Sequence, residues 1–169
     1  MNIKALTLKS NQGLQRVLVT EINVIRSGEI ISVKANAIWD TGATGSVITK
    51  AIATSLQLLP TGIAQVSTAN GIVAQNTYTI DIQLPNGVII AGIVATEVDG
   101  LAGGCDALIG MDIITLGDFS ITNHNGITCM SFRIPSSHEI DYVASPDFGI
   151  VKVHVGKPTN ITPPKKKRK

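Results

Sequence analysis

The residue best suited to chemistry in this sequence is Asp40, which follows an apolar run and is itself followed by Thr41 and Gly42. A carboxylate at the end of a buried strand is partly withdrawn from water and held in a fixed place. Glycine lets the backbone turn sharply and approach a ligand, and the threonine hydroxyl can hydrogen-bond and hold the loop. The triplet therefore predicts a carboxylate that acts as a general acid or base.

Two further features follow Asp40 along the chain. Asn70-Gly71 lies between β-prone runs and predicts the tip of a hairpin. Leu108-Ile109-Gly110 reads as an apolar strand that ends in glycine before a short helix. Taken alone, the triplet at Asp40 is more typical of a structural turn, since Asp and Gly are ordinary turn residues. The order of the three features favours a functional site.

The elements that must position these residues are short β-strands. Runs rich in Val and Ile predict strands over 16–25 and 30–39, with a turn over 26–29 between them. Asn-Gly readily takes positive φ at both central positions of a hairpin turn. Three such pairs lie between β-prone runs and predict a mostly antiparallel protein: Asn70-Gly71, Asn86-Gly87 and Asn125-Gly126.

One or two short helices interrupt the strands. Thr49 is a candidate N-cap, and Ile52, Leu56 and Leu59 recur at helical spacing before Pro60. The segment 111–116 predicts a second short helix, in which Asp112 favours the first turn through the helix dipole. The fold class expected is all-β with one or two short helices.

Composition excludes several functions. Hydrophobic residues make up 44% of the chain and charged residues 15%, as in a packed protein. The basic run Lys165–Lys169 accounts for the positive net charge, because the remaining nine Lys and Arg face twelve Asp and Glu. Only this tail would attract nucleic acid. No uncharged stretch is apolar enough to span a membrane, and the N-terminus lacks the apolar region of a signal peptide.

Cysteines and histidines predict no redox framework and no metal site. Two cysteines, Cys105 and Cys129, are too few for a disulfide framework and are expected to be free thiols. The histidines show no ligand spacing: they are His124, His138 and His154. We expect neither a metal nor another cofactor.

The order of these motifs resembles the retropepsin-like, or retroviral-type, aspartic proteases over residues 16–135. The resemblance implies a closed barrel-like fold and endopeptidase activity, with Asp40 as the catalytic residue. It assigns three further groups of residues: active-site loop support by Thr41, Gly42 and Ala43; flap and substrate binding by Ala69, Asn70, Gly71 and Ile72; and a second motif of Leu108, Ile109 and Gly110. Apolar residues among these, including Ile109, are expected to line the substrate subsites.

A single Asp-Thr-Gly implies a homodimer, because the chemistry needs two carboxylates and each subunit of this family supplies one. Two carboxylates about 3 Å apart share one proton. The charged one activates a water, and the other protonates the carbonyl of an extended polypeptide substrate. The same fold without activity would be a peptide-binding or dimerisation module, and this alternative stays open at the level of sequence.

The sequence divides into three parts. Residues 1–15 form an N-terminal segment that serves dimer contacts or is a leader, residues 16–135 form the protease domain, and residues 136–169 form an extension. The basic tail at the end of the extension resembles short import signals, so an import receptor or nucleic acid is a candidate partner. The expected location is cytoplasmic, or nuclear if the source is a eukaryote.

Overall fold

The computed structural model describes residues 3–11, 13–68 and 71–144. The chain divides into two units, residues 1–139 and 140–169, and the helices and strands found among the described residues all lie in the first. The strands are β1 (Lys4–Lys9), β2 (Val19–Arg26), β3 (Ser32–Trp39), β4 (Val47–Thr49), β5 (Gly62–Thr68), β6 (Gly71–Gln83), β7 (Ile89–Val98), β8 (Ala107–Ile109), β9 (Asp118–Thr122) and β10 (Cys129–Ile134). The helices are α1 (Lys50–Ser55) and α2 (Met111–Ile114).

Seven strands form one sheet in the order β2-β3-β8-β4-β7-β6-β5. β2 also pairs with β6, so the sheet curls back on itself and leaves its apolar side chains facing inward. The core is almost entirely aliphatic, with residues such as Val24, Ile48, Ile80 and Ile109 fully buried. The predicted class, an all-β, closed, barrel-like fold with two short helices, is confirmed.

All three Asn-Gly pairs join neighbouring antiparallel strands, as the sequence predicts. β5 and β6 pair up to Thr68 and Gly71, and Gly71 has a φ of 117°. Gly87 closes the β6–β7 turn with a φ of 80°, and Asn125 takes a φ of 53° between β9 and β10. Positive φ at these positions is why Asn and Gly occur there.

The first helix is shorter than its apolar spacing predicts. Thr49 is its N-cap, and Ile52 and Leu56 are buried. Gln57 then adopts a left-handed φ of 50°, which ends the helix before Pro60 is reached. Leu59 is consequently 78% exposed instead of lying on the buried face.

A second, three-stranded sheet has the order β1-β10-β9. β1 pairs with β10 over its whole length, from Lys4 opposite Ile134 to Lys9 opposite Cys129. Residues 4–9 are therefore built into the same unit as residues 16–135, and the predicted division after residue 15 stays a prediction. The roles predicted for residues 1–15, dimer contacts or a leader, stay predictions.

Trp39 connects the two sheets. Its side chain is 5% exposed and stacks on Phe119 with ring centroids 5.5 Å apart, while Phe132 lies at 5.1 Å. The indole Nε1 donates a hydrogen bond to Thr20 Oγ1 at 2.9 Å, so burial leaves no polar group of the ring unpaired. Trp39 is thus a packing residue, and it anchors the strand that leads into Asp40.

Asp118 holds the end of β10 against the start of β9. Its carboxylate accepts hydrogen bonds from the Ser136 hydroxyl, the Ser137 backbone N–H and the Arg133 guanidinium. These bonds, with that from Ser136 the largest contributor, hold the pKa of Asp118 well below its ordinary value. The ionised carboxylate is therefore part of the folded structure.

Three further predictions concern the cysteines, membrane-spanning segments and the basic tail. Cys105 and Cys129 are free thiols, as expected, and both are partly buried. In the described ranges no helix has the length and apolar character needed to cross a membrane. The basic tail Lys165–Lys169, with its predicted import receptor or nucleic-acid partner, lies outside the described residues.

Candidate active site

Asp40 lies where two parallel strands end side by side. β3 and β8 are paired in parallel, with Trp39 opposite Ile109, so the chain leaves both strands at the same edge of the sheet. The Asp40 N–H donates a hydrogen bond to the Ile109 carbonyl at 3.0 Å. The parallel pair therefore brings the first and second sequence motifs together, although they are far apart in the chain.

The carboxylate of Asp40 is partly buried and held on one side. Gly42 N–H donates to Asp40 Oδ1 at 2.8 Å, and Ala43 N–H donates to the Asp40 carbonyl at 3.3 Å. A Cβ on Gly42 would lie 3.2 Å from Oδ1, so glycine permits this close approach. Within the described residues no hydrogen bond to Oδ2 is found, which leaves that oxygen open to a water or a substrate.

Residues 40–46, here called the Asp40 loop, connect β3 to β4 around the end of β8. Met111 N–H donates to the Ala43 carbonyl at 2.9 Å, and Asp112 N–H donates to the Thr44 carbonyl at 3.2 Å. A Cβ at Gly110 would lie 2.6 Å from backbone atoms of Gly45. Gly110 is therefore required by the close contact of two backbones, not only as a residue that begins a helix.

Two residues that the sequence did not single out as functional complete the contact. Ser46 is 1% exposed, and its hydroxyl donates to Asp112 Oδ1 at 2.8 Å while its N–H donates to Asp112 Oδ2 at 2.9 Å. The sequence predicted only a helix-dipole role for Asp112. It gave no signal for this pairing, because a serine in a loop and an aspartate in a first turn are both common.

The Asp40 loop and the second motif lie side by side, and the roles predicted for their residues stay predictions, with one correction. Thr41 is exposed, whereas Ala43 and Leu108 are partly buried. Ile109 was expected to help line a substrate subsite, but its side chain is 0% exposed. It faces the core because residues of a strand alternate between faces, and it contributes through its carbonyl instead.

The predicted flap is the β5–β6 hairpin. Ile72 is 73% exposed and pairs with Ser67, and Ile63 near the base of β5 is also 73% exposed. Ala69 and Asn70, the other predicted flap residues, lie outside the described residues. The hairpin thus presents apolar side chains to solvent, and its role as a flap stays a prediction. In the described part of the chain no cluster of His, Cys, Asp or Glu could hold a metal ion.

Comparison with known proteins gives a family and several structural similarities. A model of the family described as "gag-polyprotein putative aspartyl protease" matches residues 26–115. A search of curated protein sequences found no match. A retropepsin-like aspartic protease from Rickettsia conorii is 18% identical with a TM-score of 0.49, over 79% of this chain and 96% of that chain.

Two further structures are similar. The EIAV protease, solved with the inhibitor HBY-793, is 20% identical with a TM-score of 0.46, over 62% of this chain and 91% of that chain. The foamy viral protease-reverse transcriptase, solved with an RNA/DNA hybrid, is 22% identical with a TM-score of 0.42, over 57% of this chain and 11% of that chain. The residues matched by the family model, 26–115, include both Asp40 and Gly110.

Proposed function

Since this chain belongs to the retropepsin-like family of aspartic proteases, we propose that it is an aspartic endopeptidase that acts as a homodimer. The observation that carries the proposal is the geometry of Asp40. Its backbone is bonded to Ile109, one carboxylate oxygen accepts from Gly42 N–H, and the other oxygen is open within the described residues. A carboxylate fixed in this way is ready to take a proton from water without first reorganising.

The dimer follows from the number of carboxylates. Asp40-Thr41-Gly42 is the only Asp-Thr-Gly in the 169 residues, and peptide hydrolysis by this mechanism needs two facing aspartates. A two-fold axis beside the Asp40 loop would bring a second Asp40 to the first, with the same surface of each chain in contact. The site of one chain is then incomplete until the partner's Asp40 joins it.

In the proposed mechanism the two Asp40 residues share one proton because like charges about 3 Å apart do not both ionise. The ionised carboxylate removes a proton from a water held between the pair. That water attacks the scissile carbonyl carbon, while the protonated carboxyl donates its proton to the carbonyl oxygen. The tetrahedral intermediate breaks down when a proton passes to the leaving nitrogen. Neither a metal nor a covalent intermediate takes part.

The proposed substrate is a polypeptide in extended form. The exposed Ile63 and Ile72 of the β5–β6 hairpin would contact its apolar side chains, and the hairpin backbone would hydrogen-bond its main chain. Closure of such a hairpin excludes bulk water from the site. A preference for apolar residues around the scissile bond is the expected specificity.

The test is cleavage of casein and of a mixed peptide library by the purified dimer, with and without the aspartic protease inhibitor pepstatin. Asp40→Asn should lower kcat on the order of 10³-fold or more, because amides do not act as general bases. Asp99→Asn is the matched control, since Asp99 is an exposed loop carboxylate. It should leave kcat unchanged.

Two results would contradict the proposal. Cleavage that survives Asp40→Asn would refute the aspartic mechanism. A verified dimer that binds extended peptides at several pH values without cutting them would instead support the peptide-binding or dimerisation module.

A further inference from the structure

The side chains of Asp112 and Ser46 form a closed hydrogen-bonded pair behind the Asp40 loop. Asp112 accepts the Ser46 hydroxyl at 2.8 Å on one oxygen and the Ser46 N–H at 2.9 Å on the other. Ser46 Oγ in turn accepts the Gly110 N–H at 3.2 Å. The last residue of the loop is thereby tied to the first residues after β8.

This pairing is more than a helix cap. α2 has four residues, and its N-cap is Gly110. Although Asp112 Oδ1 also accepts the N–H of Ile113, both carboxylate oxygens bond Ser46, which lies outside the helix. The Ser46 carbonyl accepts Thr96 N–H at 3.1 Å, so every polar group of this buried serine has a partner. Ser46 therefore has one well-defined position, and Asp112 determines most of it.

The pair also differs from the other contacts that hold the loop. The bonds from Met111 to Ala43 and from Asp112 to Thr44 join backbone atoms, so they form whatever the side chains are. The carboxylate of Asp112 and the hydroxyl of Ser46 are side-chain groups that depend on residue type. Bonds to an ionised carboxylate are also stronger than bonds between neutral groups.

We propose that Asp112, acting through Ser46, is a positioning residue for the catalytic carboxylate of Asp40. This inference rests on the proposed endopeptidase function. Removal of the Asp112 carboxylate leaves the Ser46 N–H and hydroxyl without their acceptors at a buried site, which is unfavourable enough to move the chain toward water. The Asp40 loop ends at Ser46, so such a movement displaces the loop that carries Asp40.

The first measurement is steady-state cleavage by Asp112→Ala and Ser46→Ala, well below their melting temperatures. A displacement on the order of 1 Å lowers catalysis about 10²-fold, so we expect kcat to fall by about that factor while KM changes less than about threefold. The double variant should lose little more than either single variant, because both remove the same interaction. Asp112→Asn keeps an acceptor for Ser46 and should recover most of the loss.

Asp81→Ala is the matched control. Asp81 Oδ1 also accepts one serine hydroxyl, from Ser27 at 3.0 Å, and one backbone N–H, from Gly92 at 2.9 Å. Asp81 lies on β6 beyond residues 71–77, which pair with β5 in the flap hairpin, and β6 does not pair with β3, β4 or β8 in the larger sheet. Asp81→Ala therefore removes the same kinds of hydrogen bond without changing a contact of the Asp40 loop. Its kcat should stay within about twofold of the wild type.

The second measurement does not need activity. Amide hydrogen exchange should quicken at Gly42–Ser46 and at Gly110 in Asp112→Ala, and it should stay unchanged there in Asp81→Ala. If the wild type does not cleave, the endopeptidase proposal fails, and exchange alone decides the positioning role: selective quickening supports it, and no quickening overturns it.

The remaining outcomes are equally decisive. A kcat of Asp112→Ala within about threefold of the wild type would overturn the positioning role. So would an equal loss in Asp81→Ala, because the effect would then be one of general stability. Should Asp112→Ala not fold, Ser46→Ala carries the comparison alone, because it removes the hydroxyl bond to Asp112. A kcat of Ser46→Ala within about threefold of the wild type would then contradict the proposal.

Discussion

The substitution Gly110→Ala tests the close contact between the backbones of Gly110 and Gly45. Gly110 has a φ of −94° and a ψ of −172°, which alanine adopts without strain, so the substitution acts through volume alone. The new Cβ would lie 2.6 Å from the carbonyl carbon and oxygen of Gly45, where ordinary contact begins at 3.4 Å. The Asp40 loop must therefore move by about 0.8 Å relative to β8.

This displacement sets the expected magnitudes. A shift of nearly 1 Å in a catalytic group corresponds to a loss of about 10²-fold in kcat, or about 2.7 kcal/mol in the activation barrier. Overpacking should also lower the free energy of unfolding by roughly 1–3 kcal/mol, a decrease in Tm of about 4 °C per kcal/mol. The variant should remain folded at 25 °C with a KM close to that of the wild type.

The assay is peptide cleavage by the dimer with thermal melting of the same sample. Gly100→Ala is the control, because a Cβ there would meet nothing within 4 Å. It should change neither kcat nor Tm. A Gly110→Ala protein with full kcat would refute the reasoning, since it would show that the loop can shift without moving the reacting carboxylate.

Three further predictions concern other parts of the molecule. Folding holds the pKa of Asp118 below its ordinary value, so its ionised form stabilises the protein above about pH 4, and this stabilisation is lost as pH falls further. The difference in Tm between the wild type and Asp118→Asn should therefore become smaller in acid. A difference in Tm that does not change with pH would contradict this prediction. Trp39→Ala should lower the free energy of unfolding by about 3–5 kcal/mol in urea denaturation. Trp39→Phe should lower it by less, since phenylalanine keeps an aromatic ring and mainly loses the hydrogen bond to Thr20. Equal losses in the two variants would contradict the role of ring stacking. Ile72→Ser should raise KM for apolar peptides about tenfold, because the substrate loses about 1.5 kcal/mol of apolar burial. Ile89→Ser is the control, since Ile89 is exposed and lies outside the flap hairpin. It should leave KM unchanged.

Local signals in the sequence were sufficient for much of the fold. Gly71, Gly87 and Gly126 of the three Asn-Gly pairs all take a positive φ, a conformation that glycine adopts through its own chemistry, so no distant information is needed to predict these turns. The strand that leads into Asp40 is also predicted locally, by its own apolar residues. The end of α1 was placed too late because Gln57 takes a positive φ, which cannot be predicted from a non-glycine residue.

Contacts between distant segments could not be predicted. β1 has a lysine at each end and depends on β10, at the other end of the unit, for its pairing. Asp112 and Ser46 are each ordinary in their own surroundings, and their pairing appears only when β8 is placed beside β3. Ile109 was assigned to a subsite because it belongs to a motif, whereas the alternation of side chains along β8 buries it.

The order of strands in the larger sheet has a consequence for how the protein is made. β8 lies between β3 and β4, although those two strands follow each other directly in the chain. A growing chain emerges from its N-terminus, so the gap between β3 and β4 stays unfilled until residues 107–109 have been synthesised. Such late, non-local insertion slows folding. Under the proposed function, it also delays hydrolysis, because a nascent chain carries Asp40 long before it can hold it in place.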